Sequence, residues 1–477
     1  MSKITNVRLP DTSSTAVYDP QKFNQLVRSL EQIILQLNTT YTPITSENTL
    51  GALSWFEANG GQCEMNSGSS TPVSIGGTNV DAFGRLRVSQ PYTLFDSQNR
   101  YAVDNQFEVA TTGTGTSSFL SNEAAVKLEV TGGGVGSVNR QSYRSFPYQP
   151  GKGLLVLATF VMDSSTSANL TQQVGYYNTQ NGVFFKRTGS TNSFVLRSNS
   201  TPTPGTPSDI RTVNQSSWNG DKLDGSGASG VTLDPTKAQI LWMDFEWLGV
   251  GSVRCGFIID GQYIVCHTFN NANDITGVYM TTAILPMRYE IITTTAAVAA
   301  SMKAICCSVI SEGGFEQTSI DHVARRTTVF TNIDTTATFF PIVSIRMASG
   351  RTGAVILPNR VQFLPITNQN YEVVLLKNPT LTGATWASTV DSDTNVQYDV
   401  AATAISAIGT IVQTDYVTSS GSAGVSETNL PTGYNWDLQL GATIAGVSDI
   451  YTVAVRTVDG ATKGSGVGSL TFYDLTQ

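Results

Sequence analysis

Histidine and charged residues are both scarce in this chain of 477 residues. Only two histidines, His267 and His322, are present, and charged residues make up 13% of the sequence, about half of their usual share. Neither histidine lies in a nucleophile motif such as GxSxG, so a serine or cysteine hydrolase has few bases to draw on. For His267 we favour a hydrogen-bonded structural imidazole. With 28 basic against 36 acidic residues, the chain lacks the basic surface needed to bind nucleic acid.

Cysteines are few, and long apolar runs are missing. Cys63, Cys255, Cys266, Cys306 and Cys307 include no CxxC pair, and a disulfide between the two adjacent cysteines would be strained. We expect reduced thiols, no zinc site and synthesis in cytosol. The glycine-rich stretches lack the spacing of nucleotide-binding loops, so we predict no metal and no other cofactor. We also predict no secretion signal and no membrane span, because no run reaches about 18–20 apolar residues.

One amphipathic helix stands out near the start of the sequence. Asp19 can cap its N-terminus, Pro20 suits the first helical position and Asn38 is a plausible end. Apolar residues at steps of three and four predict one apolar face. That face consists of Phe23, Leu26, Val27, Leu30, Ile33, Ile34 and Leu37.

This helix should be buried against a partner. About eighteen residues are marginal as an isolated helix, so the apolar face either docks on the chain's own body or bundles with other subunits. We favour a homotrimer, because Ile33 at a seam position suits more than two helices. Two heptads are nevertheless too few to fix the number of subunits.

The remaining sequence predicts a mainly β protein. Residues 1–41 form the N-terminal arm that carries the helix, and the Ser-, Thr- and Gly-rich residues 42–80 indicate an extended connector. From residue 81, short β-branched and aromatic runs alternate with turn residues. We assign residues 81–324 to one β-sandwich and residues 325–477 to a second, both jelly-roll-like.

Individual strands and one hairpin are also predicted. Asp260-Gly261 separates two apolar runs and suits a type I′ turn, because both residues tolerate positive φ. In the C-terminal half we predict eight strands. They begin at Phe339, Ala354, Tyr371, Val396, Ile405, Trp436, Tyr451 and Ser469.

The best catalytic candidate is a carboxylate pair in LWMDFEW. Asp244 and Glu246 lie two residues apart, so a strand places them on one face about 7 Å apart, within reach of the geometry of a glycosidase. The competing interpretation is stronger. The opposite, inward face consists of Leu241, Met243, Phe245 and Trp247, and alternation alone then places both carboxylates outward. We predict no catalytic residues and no enzymatic activity.

Three aromatic residues are suggested as contacts for glycans. Tyr176, Tyr177 and Trp218 lie near Gly- and Asn-rich turns, where sugar sites are often built. The alternative, which we favour for most aromatic residues of this chain, is a place in the core or in a subunit contact, given the area that an aromatic side chain buries.

Several blocks of the sequence resemble structural proteins of tailed bacteriophages, notably those that infect cyanobacteria and other marine bacteria. They are Asn6-VRLP, Asn24-QLVRSLEQIILQLN, Asp81-AFGRLRVSQPYTLFDSQNRY, the block from Trp218 to Asn273, and Tyr279-MTTAILPMRYEI. The resemblance implies an oligomeric β-sandwich component of the virion, assembled in the host cytoplasm and attached to other virion proteins through its N-terminal helix. It fits capsid decoration, a head fibre, a tail fibre or a baseplate component.

Two other functions remain open at this point. A receptor-binding tail fibre or adhesin would hold host surface glycans in the loops of a distal sandwich. An enzyme that degrades host polysaccharide is the third interpretation. The low charge content favours the structural role, because protein interfaces need apolar patches with few charges.

Overall fold

The computed structural model describes residues 90–476 with gaps, together with Asn24 and residues 27–31. The gaps are 201–202, 296–297, 317–318, 335–338, 389–393, 419–425, 430–435 and 459–462. The chain divides into two units, Met1–Val88 and Ser89–Gln477.

In the first unit, Asn24 and residues 27–31 are helical, as the apolar periodicity predicts. Val27 is half-buried, and Leu30 is 38% exposed. The other members of the predicted apolar face lie outside the described residues, as does the predicted connector 42–80. Those members are Phe23, Leu26, Ile33, Ile34 and Leu37.

The second unit begins with fifteen strands in its described residues. They are β1 (Tyr92–Gln98), β2 (Phe107–Gly113), β3 (Gly115–Leu120), β4 (Ala125–Val130), β5 (Gly136–Ser142), β6 (Leu154–Val161), β7 (Leu170–Tyr177), β8 (Gly182–Thr188), β9 (Thr191–Ser198), β10 (Ser208–Asn214), β11 (Gln239–Phe245), β12 (Val253–Ile259), β13 (Gln262–Phe269), β14 (Met287–Thr293) and β15 (Ala300–Ser311). A short 3-10 helix, Gln215–Ser217, follows β10.

These strands form two antiparallel sheets. The first sheet has the order β13-β12-β11-β6-β15-β4-β3, with β1 paired to β15, and the second has the order β10-β9-β8-β7-β14-β5-β2. Neighbours such as β6 and β15 are far apart in sequence, as in jelly rolls. The sheets pack face to face around one apolar core, in which the ring of Phe185 meets that of Phe257 at 5.2 Å. The prediction of a β-sandwich is confirmed.

Strand β11 illustrates why the sequence folds this way. Leu241, Met243 and Phe245 are buried in the core between the sheets, whereas Trp242 and Asp244 lie on the outer face, as alternation requires. The predicted hairpin between β12 and β13 is also confirmed. Asp260 and Gly261 have φ values of +52° and +77°, the two positive angles of a type I′ turn.

The C-terminal half forms thirteen further strands in its described residues. They are β16 (Asp321–Arg325), β17 (Phe330–Ile333), β18 (Phe340–Met347), β19 (Ile356–Pro365), β20 (Asn370–Lys377), β21 (Thr380–Thr382), β22 (Ala387–Ser388), β23 (Val396–Asp399), β24 (Ala404–Ala407), β25 (Thr410–Thr418), β26 (Ser426–Asn429), β27 (Ile450–Thr457) and β28 (Gly464–Asp474).

Two larger sheets of this half enclose a second apolar core. One has the order β16-β28-β19-β26, with β17 on β28, and the other has the order β22-β23-β18-β27-β20-β25. Across the core the rings of Phe363 and Tyr371 meet at 5.2 Å. Strands β21 and β24 form a separate pair. The boundary that we placed between residues 324 and 325 falls inside β16, so the sheets divide before that strand.

Two strand predictions in this half need correction. The segment that begins at Trp436 forms a 3-10 helix, Trp436–Leu438, because its indole is buried against the first sandwich and interrupts the alternation of a strand. The segment that begins at Ile405 is two strands, since Gly409 between them has a φ of +62° and interrupts the extended backbone.

Candidate functional site

The three aromatic residues suggested for glycan contact are buried in the structure. Tyr176 is 0% exposed, and its hydroxyl donates to the Phe146 carbonyl oxygen at 2.6 Å. Trp218 is 2% exposed and its ring lies 4.7 Å from that of Phe194. Tyr177 is also 0% exposed. A ring with no accessible face cannot stack on a sugar, so the alternative of a core position applies to all three.

His267 and Cys266 are also enclosed, whereas the thiol of Cys306 is exposed. His267 is 7% exposed and accepts a hydrogen bond at Nδ1 from the Asn219 amide at 3.4 Å. Burial, with the nearby positive charge of Arg211, lowers the pKa of His267. Burial also raises the pKa of the Cys266 thiol to about 12. The neutral imidazole and the protonated thiol therefore contribute to packing. For His267 this agrees with the structural role that the sequence favours.

Asp244 and Glu246 line one cleft of about 480 Å³ on the first sandwich. The cleft also contains Lys152, Arg254 and Glu312, so that three carboxylates and two cations share its walls. Sequence reasoning missed Glu312, because it follows β15 and reaches the cleft only through the pairing of β15 with β6 and of β6 with β11.

A glycine opens the space between two of these carboxylates. A Cβ added at Gly153 would lie 3.0 Å from Oε2 of Glu312 and 3.7 Å from Oδ1 of Asp244. Burial raises the pKa of Glu312, and the charge of Asp244 raises it further, while Arg254 acts in the opposite direction. The cleft therefore combines a carboxyl that holds its proton more strongly with a charged one.

Arg254 decides what this pair can do chemically. Its guanidinium forms an ion pair with the carboxylate of Asp244. Glycosidases use two neighbouring carboxyl groups, but here an arginine is already paired with one of the two. The structure thus places Asp244 in an ion pair with Arg254, with Glu312 as the second carboxyl of the cleft.

A second feature lies on the outer face of the first sheet, beside this cleft. Apolar side chains from β11, β12 and β13 adjoin one another across the strands. We call this surface the apolar strip, and it consists of Ile240, Trp242, Ile258, Tyr263 and Val265. Ile240 is 39% exposed, Tyr263 is 54% exposed and Val265 is 36% exposed.

Trp242 and Gly256 hold the apolar strip together. The indole of Trp242 meets the ring of Tyr263 edge-on at 5.5 Å and donates to the Ile264 carbonyl oxygen at 3.3 Å. A Cβ at Gly256 would come within 2.9 Å of the indole nitrogen, so the glycine makes room for the ring. The sequence signal for this surface is weak: the runs QILWMDF and QYIVCHTF are apolar on both faces of their strands.

Among the residues that the structure describes, no three His, Cys, Asp or Glu side chains are grouped closely enough to hold a metal ion. No helix described there has the length and apolar character needed to cross a membrane.

Comparisons with known proteins gave structural matches only. No family model and no curated protein matches the chain. A variant of the Emp46p carbohydrate recognition domain aligns over 48% of this chain and 100% of its own, with 11% identity and a TM-score of 0.30. A protein of unknown function from Shewanella oneidensis MR-1 aligns over 53% and 100%, with 9% identity and a TM-score of 0.32.

A lectin from Bauhinia forficata in complex with GalNAc aligns over 47% of this chain and 99% of its own, with 9% identity and a TM-score of 0.28. The structural neighbours thus include carbohydrate-binding β-sandwich domains. At TM-scores near 0.3 these matches carry no argument about ligand or activity.

Proposed function

We propose that the protein is a non-enzymatic structural component of a tailed-phage particle, whose copies associate through the apolar strip. The virion role is supported by the sequence resemblance, and the association of copies is supported by the strip. In this proposal the N-terminal arm, residues 1–41, attaches the chain to a capsid or tail protein, and three copies form the working unit. Assembly takes place in the host cytoplasm.

The exposed apolar strip is the observation that carries the association. Contiguous apolar surface on a soluble protein marks a contact with another molecule, and the centres of such contacts are depleted of charge and enriched in Tyr and Trp. The strip contains no charged side chain and exposes Tyr263, while Trp242 is 3% exposed and packs against that ring. Its members come from three adjacent strands, so they offer one continuous face rather than scattered side chains.

A second copy of the chain is the occupant that the charges favour. The chain carries a net charge of −8, so identical copies repel unless they meet at an uncharged surface. The apolar strip contains no charged side chain and so offers such a surface.

Charge placed in the strip tests this association. We expect the double variant Ile240→Lys and Tyr263→Lys to raise the dissociation constant of the purified full-length chain at least tenfold, about 1.4 kcal/mol, because the contact would bury unpaired ammonium groups. Sedimentation velocity over a concentration series measures the constant. Gln262→Lys, which adds a charge on the same hairpin outside the strip, is the matched control and should not alter it.

Two results would contradict the proposal. The association would be disproved if the wild-type chain sedimented as a 51.0 kDa monomer at every concentration. It would also be disproved if the double variant had the same dissociation constant as the wild type. The virion role has its own measurement, which is mass spectrometry of gradient-purified particles of the phage that encodes the chain. The chain should be present in them at structural copy number, and its absence overturns that role.

A further inference from the structure

Apolar side chains are also exposed at the loop between β11 and β12. Leu248 is 57% exposed and Val250 is 38% exposed. Val278, which is 37% exposed, lies against this loop, because a Cβ added at Gly249 would come within 2.9 Å of its Cγ1 atom. We call this surface the apolar tip, and it consists of Leu248, Val250 and Val278. It is uncharged, since residues 247–252 and 275–280 contain no charged side chain.

Hydrogen bonds hold the apolar tip in one conformation. The Tyr279 amide donates to the Gly249 carbonyl oxygen at 2.9 Å, and the Gly251 amide donates to the Trp247 carbonyl oxygen at 2.8 Å. The side-chain amide of Asn271 donates to the Gly251 carbonyl oxygen at 2.7 Å. A surface that is ordered before contact loses less conformational entropy on binding. The apolar tip is therefore prepared for contact with another molecule.

The backbone at Leu248 is strained, although its side chain contributes little to the core. Its φ is +34°, in the left-handed region, where a residue with a Cβ is disfavoured. The side chain is nevertheless the most exposed of the three, so burial within the chain does not offset this strain. Strained residues cluster at sites of contact with ligands and partners. A strained and exposed leucine thus indicates a contact outside its own chain.

The apolar tip and the apolar strip lie toward opposite ends of the same two strands. Ile240 and Ile258 of the strip pair with each other near the start of β11 and the end of β12. The tip lies in the connection from the end of β11 to the start of β12. The ion pair of Asp244 with Arg254 lies between the two surfaces. They are therefore separate, at a distance of roughly 20 Å along the strands.

Two separate surfaces allow a contact that one surface alone does not. A contact between identical patches closes with two copies, whereas a contact between two different patches can close a ring of three. The proposed function has three copies that associate through the strip, so the strip needs a different patch to meet. Because the chain carries a net charge of −8, copies approach most readily where neither surface is charged. The apolar tip meets both conditions.

We propose that the apolar tip of each copy docks on the apolar strip of the next, so that the copies associate head-to-tail. Leu248 and Val250 of one copy pack beside the exposed ring of Tyr263 of the other, and three such contacts close the trimer. This inference rests on the proposed function, since it names the surface of a second copy that the strip binds.

Variants that disable one surface at a time test this contact. The tip variant combines Leu248→Asn with Val250→Lys, and the strip variant combines Ile240→Lys with Tyr263→Lys. We expect each variant to have a dissociation constant at least tenfold above that of the wild type, because each would bury an unpaired ammonium group in the contact. Sedimentation velocity of the full-length chain measures the constant.

A mixture of the two variants distinguishes a head-to-tail contact from a contact between two strips. The tip variant has an intact strip and the strip variant has an intact tip, so one head-to-tail contact can form between them. An equimolar mixture should therefore yield a dimer at concentrations at which each variant alone is monomeric. It should not yield a trimer, because the two surfaces left over carry lysine.

Two controls separate the contact from folding. Asparagine tolerates positive φ better than leucine does, so Leu248→Asn alone should leave the thermal midpoint equal or raise it. Thr116→Lys adds a charge at an exposed position of β3, opposite Glu129 and at the far edge of the same sheet. It should leave the dissociation constant unchanged.

Four results would overturn the proposal. They are a tip variant that associates as the wild type does, an equimolar mixture that stays monomeric, a midpoint lowered by Leu248→Asn, and a constant raised as much by Thr116→Lys as by the tip variant. If the strip variant is weakened and the tip variant is not, the head-to-tail contact is rejected and association through the strip stands. A wild-type chain that never associates would reject the association itself.

Discussion

At the scale of single residues, the electrostatics of the first sandwich centre on Glu312. Its carboxyl is partly enclosed and faces the charge of Asp244 across the space that Gly153 leaves open. Both effects favour the neutral form, and burial is the larger. A carboxyl whose pKa is raised by folding stabilises the protein below its unfolded pKa, and this contribution is lost as the pH rises through the folded pKa.

The substitution Glu312→Gln removes this pH dependence. As the pH rises from 4 to 7, the free energy of unfolding of the wild type should fall by about 0.5 kcal/mol relative to that of the variant. The difference is this small because the side chain is partly exposed. Urea unfolding at several pH values measures the difference. Glu246→Gln, at an exposed carboxylate of the same cleft, is the matched control for the loss of a negative charge. A constant difference for Glu312→Gln, or a shift toward wild type, would contradict this account.

At the scale of single elements, the hairpin between β12 and β13 depends on its backbone angles. Gly261 has a φ of +77°, and a Cβ added there would meet no atom within 4 Å. A side chain at position 261 would therefore lower stability through its backbone conformation and not through a steric clash. Because β12 and β13 carry three members of the apolar strip, the turn also sets the register of that surface.

Gly261→Ala should lower the free energy of unfolding by about 1 kcal/mol, the usual cost of a left-handed conformation for a residue with a Cβ. Gly261→Asn should recover part of this loss, because asparagine tolerates that region. Denaturant unfolding gives both values. Gly277 also has open space around its Cβ position and is not among the glycines with positive φ, so Gly277→Ala should be neutral. Equal effects at the two glycines would argue against a backbone origin.

The elements that sequence reasoning predicted are those whose pattern is local. Strand β6 alternates buried and partly exposed residues along its length, and the Asp260-Gly261 turn is encoded by two residues. The segment at Trp436 was predicted as a strand because it is apolar, but its conformation is set by packing on residues more than a hundred positions earlier. Such long-range contacts leave no local pattern.

At the scale of the whole molecule, the candidate sites were less predictable than the fold for the same reason. Ile240, Ile258 and Tyr263 look like ordinary members of apolar runs in the sequence, and only the pairing of β11 with β12 and of β12 with β13 makes them one surface. Glu312 joins Asp244 through three strands. Register across a sheet cannot be read from the periodicity of one strand, so these groupings required the structure.

Trp436 also links the two sandwiches. Its indole nitrogen donates to the Tyr92 hydroxyl at 3.0 Å, and its ring meets that of Phe315 edge-on at 4.8 Å. Its carbonyl oxygen accepts a hydrogen bond from Arg144, a guanidinium that is 6% exposed and lies over the ring of Phe95. These contacts fasten the segment between β26 and β27 to strands of the first sandwich.

The sandwiches should therefore unfold together in the wild-type chain and separately once this link is removed. Trp436→Ala should cost about 3–5 kcal/mol, as other large-to-small core substitutions do, and should convert a single calorimetric transition into two. Trp386 is the control, because its partly buried ring packs under Arg346 inside the second sandwich. Trp386→Ala should lower the midpoint without dividing the transition, since it leaves the junction intact. A single transition in Trp436→Ala, or two in wild type, would mean that the contacts around Trp436 do not couple the halves.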